Sequence, residues 1–206
     1  MKIIQLEVGN LGTNCYIVYC EQTKKAGVID PGGSAASIIA EIHRANLEVE
    51  YIINTHGHAD HIAANDAVQK ATGAKVLIHH SDANMLTSAQ ANLSMYIGGA
   101  IVCQEADRLL SHNDTITIGT IEFKVLHTPG HTQGGICLLA DKVLIAGDTL
   151  FAESIGRTDF PGGSYSELIN GIKEHLMILD DDVKVLPGHG PSTTIGTERK
   201  LNPFIQ

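Results

Sequence analysis

An α/β architecture, with two β-sheets packed face to face and helices outside, is what this sequence predicts, and three observations predict it. Strand-like runs followed by helical patterns recur once in each half of the chain, the order expected of packed layers around a shared core. Polar, glycine-containing loops fall repeatedly just after apolar runs, at the C-terminal strand ends where open α/β folds place their sites. Finally, 206 residues with 43% hydrophobic and 18% charged side chains suffice to bury a sizeable core as one domain, which excludes disordered and fibrous classes.

The elements follow in order. Runs rich in β-branched residues at 2–6, 14–19 and 26–29 read as strands joined by turns. The third ends at Asp30-Pro31-Gly32-Gly33, a turn signal, after which Ser34 stands to cap an amphipathic helix reaching about residue 45. A strand over 49–54 runs into the polar segment Thr55-His56-Gly57-His58-Ala59-Asp60-His61, and a helix over 62–71 follows. The strand 75–78 precedes a less regular stretch, 81–110, with helical propensity but Gly98-Gly99 inside it. Alternation returns at 115–118, 121–127, 135–139 and 142–146, a β-meander signal. A Gly/Pro-rich loop over 151–163 leads to a helix over 164–179, a last strand at 183–186 and the turn Pro187-Gly188-His189-Gly190; one helical turn is expected near 197–200. No low-complexity linker divides the chain, so a single domain over 1–206 is the simplest account.

Charge and composition narrow the function. With 14 Lys+Arg against 23 Asp+Glu, a net charge of −9, the protein repels phosphate backbones, so no nucleic-acid partner is expected. No apolar run approaches the roughly 18 residues that span a bilayer, and residues 1–10 lack the apolar region of a signal peptide. A cytoplasmic protein without membrane partners is the expectation. The four cysteines, Cys15, Cys20, Cys103 and Cys137, form no CxxC pair and read as free and structural. What stands out is 11 histidines beside no tryptophan, because His is the commonest metal ligand and the usual acid/base residue near neutral pH.

Three imidazoles and a carboxylate are packed into His56-x-His58-x-Asp60-His61 directly after an apolar strand. Polar groups so crowded must be solvated, paired or coordinated, because burying them unpaired costs several kcal/mol. Two apart on extended backbone, His56 and His58 point the same way and can grip one ion; Asp60 and His61, at the turn into the helix, point elsewhere and can hold a second. His131, Asp148 and His189 each lie just beyond a strand in a glycine-containing turn. Nitrogen and oxygen ligands of this kind suit Zn²⁺, with Fe²⁺ or Mn²⁺ as alternatives, and no Cys selects a thiolate metal. In such a pair, bound water is acidified to a pKa of roughly 7, giving hydroxide as nucleophile. A thiolate with pKa near 8.5 departs with little protonation, so a thioester suits a site with no obvious further general acid. Asp30 is either an acceptor behind a ligating imidazole or a turn carboxylate.

In order and spacing, these residues resemble the metallo-β-lactamase superfamily of metal-dependent hydrolases, whose signature is HxHxDH, then a His, a bridging Asp and a final His. The resemblance implies a four-layer αββα sandwich. It also implies two divalent metal ions, the first held by His56, His58 and His131, the second by Asp60, His61 and His189, with Asp148 between them and Asp60 as a catalytic residue. The segments 147–163, containing Gly156-Arg157-Thr158-Asp159-Phe160, and Glu198-Arg199-Lys200-Leu201-Asn202-Pro203-Phe204 are similar to short glyoxalase II-like proteins. These imply a hydroxyacylglutathione hydrolase type of activity on a small-molecule thioester such as S-lactoylglutathione. Arg157 is a candidate for binding a substrate carboxylate or for pairing within its loop. Full-length glyoxalase II carries a C-terminal helical domain that supplies much of the glutathione pocket, and here the chain ends soon after His189; a different thiol carrier, a partner subunit or local loops would then complete the pocket.

The alternative in the same superfamily is a mononuclear iron persulfide dioxygenase, which shares a segment like 156–160 but uses the first site alone; the presence of His189 favours the hydrolase. Diiron oxygen reductases would want Glu at position 58, secreted β-lactamases a signal peptide, and processing nucleases a larger, less acidic chain. A noncatalytic metal-stabilised binding module has no need of two adjacent sites. Among the other histidines, His79 and His80 read as an exposed strand end, His127 as packing or bonding locally, and His43, His112 and His175 as surface residues. Neither a complete nucleophile elbow nor a Walker or dinucleotide fingerprint is found.

Overall fold

Two mixed sheets built from alternating side chains make up the centre of the computed structural model, which describes residues 1–96 and 99–206. The first half contributes β1 (Lys2–Val8), β2 (Thr13–Tyr19), β3 (Lys25–Ile29), α1 (Ala35–Arg44), β4 (Glu48–Ile53), α2 (Ala59–Ile62), α3 (Asn65–Thr72), β5 (Lys75–His79), α4 (Ala83–Thr87) and β6 (Arg108–Leu110). These six strands lie in the order β1-β2-β3-β4-β5-β6. The pairs from β1 to β3 are antiparallel and those from β3 to β6 parallel. The second half contributes β7 (Thr115–Ile118), β8 (Ile121–His127), β9 (Ile136–Ala140), β10 (Val143–Gly147), the small hairpin β11 (Leu150–Phe151) and β12 (Ser154–Ile155), α5 (Tyr165–Gly171), β13 (Lys184–Pro187), β14 (Thr193–Thr194) and α6 (Ile195–Leu201). Its sheet order is β14-β13-β10-β9-β8-β7.

Because strand side chains alternate between faces, each central strand feeds two cores. Tyr16, Val18, Ile29, Ile53 and Leu77 meet Ile116, Phe123, Val125, Leu138 and Ile145 between the sheets. Their neighbours Ile17, Val28, Ile52 and Val76 face outward to Ile38, Ile42 and Val68 of α1 and α3. On the far side Cys137, Leu144 and Val185 pack against Leu168, Ile172, Leu176 and Ile195. The layers therefore run helix, sheet, sheet, helix, the αββα arrangement anticipated from the sequence. All four cysteines are free and buried. No helix among the described residues is long and apolar enough to cross a membrane.

Four local expectations are corrected. The helix expected over 62–71 is broken into α2 and α3, because the Ala64 N–H donates to the Pro31 carbonyl at 2.8 Å and turns the chain. The helix expected over 164–179 starts correctly, with Ser164 accepting from Glu167 N–H, but widens into a π turn over Ile172–Leu176 where Gly171 lies close against the Thr128 backbone. Ser34 occupies the N-cap position of α1 in a left-handed conformation with no capping bond, and its hydroxyl accepts from Gly9 N–H instead. Within 81–110 the chain forms α4 and adds β6 parallel to β5; of the Gly98-Gly99 pair, Gly98 lies outside the described residues.

A clasp between the ends of the chain aligns the two sheets. The carboxamide of Asn14 on β2 is held on both sides: its Oδ1 accepts from Gln5 Nε2 of β1 at 2.8 Å, and its Nδ2 donates to the Pro187 and Gly190 carbonyls at 3.0 and 2.9 Å. Its backbone N–H donates to Gly188 O at 2.7 Å, and Tyr16 OH donates to Pro187 O at 2.7 Å. Replacing Asn14 with Ala removes the buried bond to the Pro187 carbonyl and the bond to Gly190, and a typical intramolecular hydrogen bond contributes about 0.5–1.5 kcal/mol. Urea unfolding of N14A should show a lower midpoint at unchanged slope; an unaltered midpoint would mean that the clasp is not stabilising.

Candidate metal centre

Four loops leave the same end of the sandwich, following β4, β8, β10 and β13, and they carry His56 to His61, His131, Asp148 and His189 respectively. All seven residues named as ligands from the sequence come together there. The ligand atoms of His56, His58 and His131 form one group, those of Asp60, His61 and His189 a second, and His56, His61 and Asp148 an intervening third, each within 4.8 Å of one another. His56 Nε2 lies 3.0 Å from His58 Nδ1, which lies 2.9 Å from His131 Nε2. In the second group His189 Nε2 is 3.3 Å from His61 Nε2 and 3.2 Å from Asp60 Oδ2.

The neighbours of these rings set which nitrogen faces inward. Asp30 accepts from Thr55 N–H (2.7 Å) and Thr55 Oγ1–H (2.6 Å) and takes His61 Nδ1–H at 3.0 Å, which turns His61 Nε2 toward the cluster. Of the two readings open for Asp30, the acceptor behind an imidazole is the one observed. His131 Nδ1–H donates to the Arg157 carbonyl at 2.8 Å, turning its Nε2 inward as well. Thr13 Oγ1 lies 3.3 Å from Asp60 Oδ2 and donates to it.

Electrostatics favours ligation over protonation in the first group. Burial, and then the neighbouring imidazoles, push His56 well below its ordinary value and His58 down to about 3, so both keep free lone pairs at neutral pH. Burial opposes charge on His61, yet Asp148 and Asp30 override it and raise this ring to about 10. Burial likewise opposes charge on Asp60, and His189 and His61 nonetheless hold its carboxyl below the usual range.

The residues fit divalent metal binding. Asp148 Oδ1 is buried with no hydrogen-bond partner among the described residues, 3.5 Å from His61 Nε2, while its Oδ2 lies 3.6 Å from His131 Nε2. Such an orphan acceptor between two nitrogen-rich groups is what a buried polar atom avoids unless a ligand completes it. Glycine makes the approach possible: a Cβ at Gly188 would collide with Asp148 Oδ1, and one at Gly156 with the Asp148 carbonyl.

Sequence reasoning missed Asp82. Buried to 1% exposure, it accepts from Gly57 N–H (3.1 Å), Thr132 Oγ1–H (2.7 Å) and Gly134 N–H (2.6 Å), tying the His56–His58 loop to the His131 loop. Burial raises its pKa although these three donors oppose it. The available signal was a carboxylate three residues beyond a strand, at the same end as the other loops. His79, expected at an exposed strand end, is instead buried and stacked on His127 at 4.0 Å; His127 bonds locally, Nε2–H donating to Gln133 O. His43 and His112 are exposed and His175 half-buried. Arg157 faces the cavity rim with its guanidinium held by Asp159 at 2.7 and 2.8 Å and laid over the Phe160 ring at 3.9 Å.

A family model described as the metallo-beta-lactamase superfamily matches residues 8–189. A relative from Haemophilus influenzae, hydroxyacylglutathione hydrolase GloC, is 34% identical over 100% of this chain and 98% of its own. Among solved structures, the BLEG-1 B3 metallo-beta-lactamase superposes with a TM-score of 0.95 at 39% identity, with both chains covered in full. TTHA1623 in a di-iron-bound form gives a TM-score of 0.87 at 32% identity, covering 98% of this chain and 99% of that one.

Replacing Asp82 with Ala frees the two loops of the first group. Chelator competition should show metal affinity falling about 10- to 100-fold, the usual cost of losing an outer partner; unchanged affinity would refute this role. The metal-free protein should also lose stability on acidification. Unfolded imidazoles take protons from about pH 6.5 downward, whereas folded His56 and His58 do not until far lower. The raised His61 contributes stability that is already nearly complete at pH 7, grows little below it and is lost as pH rises toward 10. Between pH 7 and 5 the urea midpoint should fall as the unfolded imidazoles take up protons that His56 and His58 refuse; a constant midpoint would contradict it.

Proposed function

This chain belongs to the metallo-β-lactamase superfamily, a group made up largely of metal-dependent hydrolases, and from that premise we propose that it is a two-metal thioester hydrolase of the hydroxyacylglutathione hydrolase type. The observation that carries the thioester reading is the lining of the cavity over the metal centre, about 590 Å³ in volume. Beyond the proposed ligands, its walls are mainly apolar, with Leu11, Leu93, Phe151, Ile155 and Phe160, and among the described residues hold no Lys, Tyr or Glu. A thiolate leaves with little protonation, so a thioester asks for no proton donor in this wall beyond the proposed ligands. The di-iron relative and the named hydroxyacylglutathione hydrolase support the same reading.

When bound, the ions supply Lewis acidity toward the thioester carbonyl and a water acidified to attack at neutral pH. The chain's own residues do the rest. His56 and His58 present uncharged nitrogens, and Asp30 and the Arg157 carbonyl fix the inward tautomers of His61 and His131. Asp60, with Oδ2 oriented by Thr13 and His189, is the carboxylate placed to take up the proton of the attacking water. The apolar wall excludes competing solvent, which strengthens each of these interactions. Zinc is the expected metal, with iron or manganese as alternatives, and the single domain over 1–206 is part of the same reading.

Purified protein should hold up to two transition-metal ions and hydrolyse S-lactoylglutathione. H58A and D148A should each lower kcat/KM by more than the roughly 100-fold typical of outer partners; chelation should abolish activity and metal should restore it. Parallel assays decide among relatives: oxygen uptake with glutathione persulfide on one iron and no hydrolysis, or β-lactam cleavage without thioester cleavage, would overturn the reading.

A further inference from the structure

A second cavity of about 430 Å³ opens beside the metal centre; it contains none of the proposed ligands and touches the centre's supports only at Asp82 and Thr132. Chain continuity makes the two adjoin. Leu93 lines both, Thr132 and Gln133 follow His131, and Pro161 and Gly162 follow Phe160. The chemistry of the second wall differs from the first. Where the metal cavity is apolar, this one presents the carboxamides of Asn84, Gln90 and Gln133, beside Met85 and Tyr96. These three carboxamides make no hydrogen bond to other side chains or backbone among the described residues. By contrast Asn92, on the boundary, is fully committed, its Nδ2 donating to the Met85 and Ile101 carbonyls and its Oδ1 accepting from Ser94 N–H. Among the described residues neither Lys nor Arg lines the second cavity, and the guanidinium at the rim of the first, Arg157, is already paired with Asp159.

We propose that this cavity is the subsite for the thiol carrier of the substrate, and that it reads the carrier through its amide bonds rather than through its charges. The inference rests on the thioester reading above and adds the carrier class to it. A carboxamide offers both a donor and an acceptor, which is what a secondary amide requires, and Met85, Leu93 and Tyr96 cover the methylenes between successive amides. A carboxylate on the carrier finds no free cation here. Carriers as different as glutathione and a pantetheine-type thiol share the amide chemistry and differ in charge, so the two are separable by assay.

The test uses the metal-replete full chain and three lactoyl thioesters, of glutathione, of N-acetylcysteamine and of ethanethiol, with glutathione diethyl ester as a fourth carrier. Gln133→Leu and Asn84→Leu, both exposed and outside the metal centre, should raise KM for the glutathione and N-acetylcysteamine thioesters at least fivefold, about 1 kcal/mol, at unchanged kcat. KM for the ethanethiol thioester should not move, and masking the carboxylates of glutathione should change KM less than twofold. Equal effects on all carriers, or a large loss on masking the carboxylates, would overturn the proposal. Calorimetry with S-methylglutathione separates this from the catalytic reading. Binding that weakens in Gln133→Leu supports the subsite even if no thioester is cleaved, and absence of binding to the wild-type protein overturns it even if thioesters are.

Discussion

Two imidazole nitrogens at 2.9 Å are tolerable only with a proton or a cation between them, and that requirement organises one whole end of this molecule. His58 sits in such a contact with His131 and another with His56. Burial resists the protons that would otherwise relieve them, so the crowded lone pairs are left for a metal. Asp148, with an oxygen that nothing in the chain satisfies, contributes the negative charge that makes cations welcome there. The cluster's donors favour positive charge, and the surrounding structure keeps it from relaxing.

The fold keeps it from relaxing by anchoring each loop twice. Every ligand-bearing turn follows a strand of the sheets, and each is then tied to a turn from elsewhere: Asp30 joins the β3 end to Thr55 and His61, Asp82 joins Gly57 to Thr132 and Gly134, Ile136 N–H donates to the Thr55 carbonyl, and Gly188 N–H donates to the Gly147 carbonyl. Backbone amides and buried carboxylates do this tying, so the imidazoles stay free for ligation.

Much of this was legible in the sequence because it is local. The spacing His56-x-His58-x-Asp60-His61 is a contiguous signal, and the alternation of Tyr16 through Val18, or of Phe123 through Val125, states which side chains face which core. The layer order followed from those patterns and from the recurrence of strand then helix. What was not legible depends on partners distant in the chain. The break between α2 and α3 exists because Pro31 O captures an N–H, the π turn because Gly171 meets Thr128, and the burial of His79 because His127 comes from the other sheet to cover it. Asp82 was silent for the same reason: three donors from two other loops converge on a carboxylate whose neighbours in sequence are unremarkable. Arg157 could be read as a charged side chain, but its backbone carbonyl, the group that orients His131, has no sequence signature.

The clasp of Asn14 onto Pro187 spans a sequence separation of 173 residues, and this has a kinetic meaning. Closing so long a loop is an entropic cost that no local contact offsets beforehand. The bridge between Thr13 and His189 forms only when both ends of the chain have met. A folding molecule can therefore assemble the first imidazole group from residues 56 to 131 while the second still lacks His189. The group formed by Asp60, His61 and His189 is therefore complete only once both ends of the chain have met.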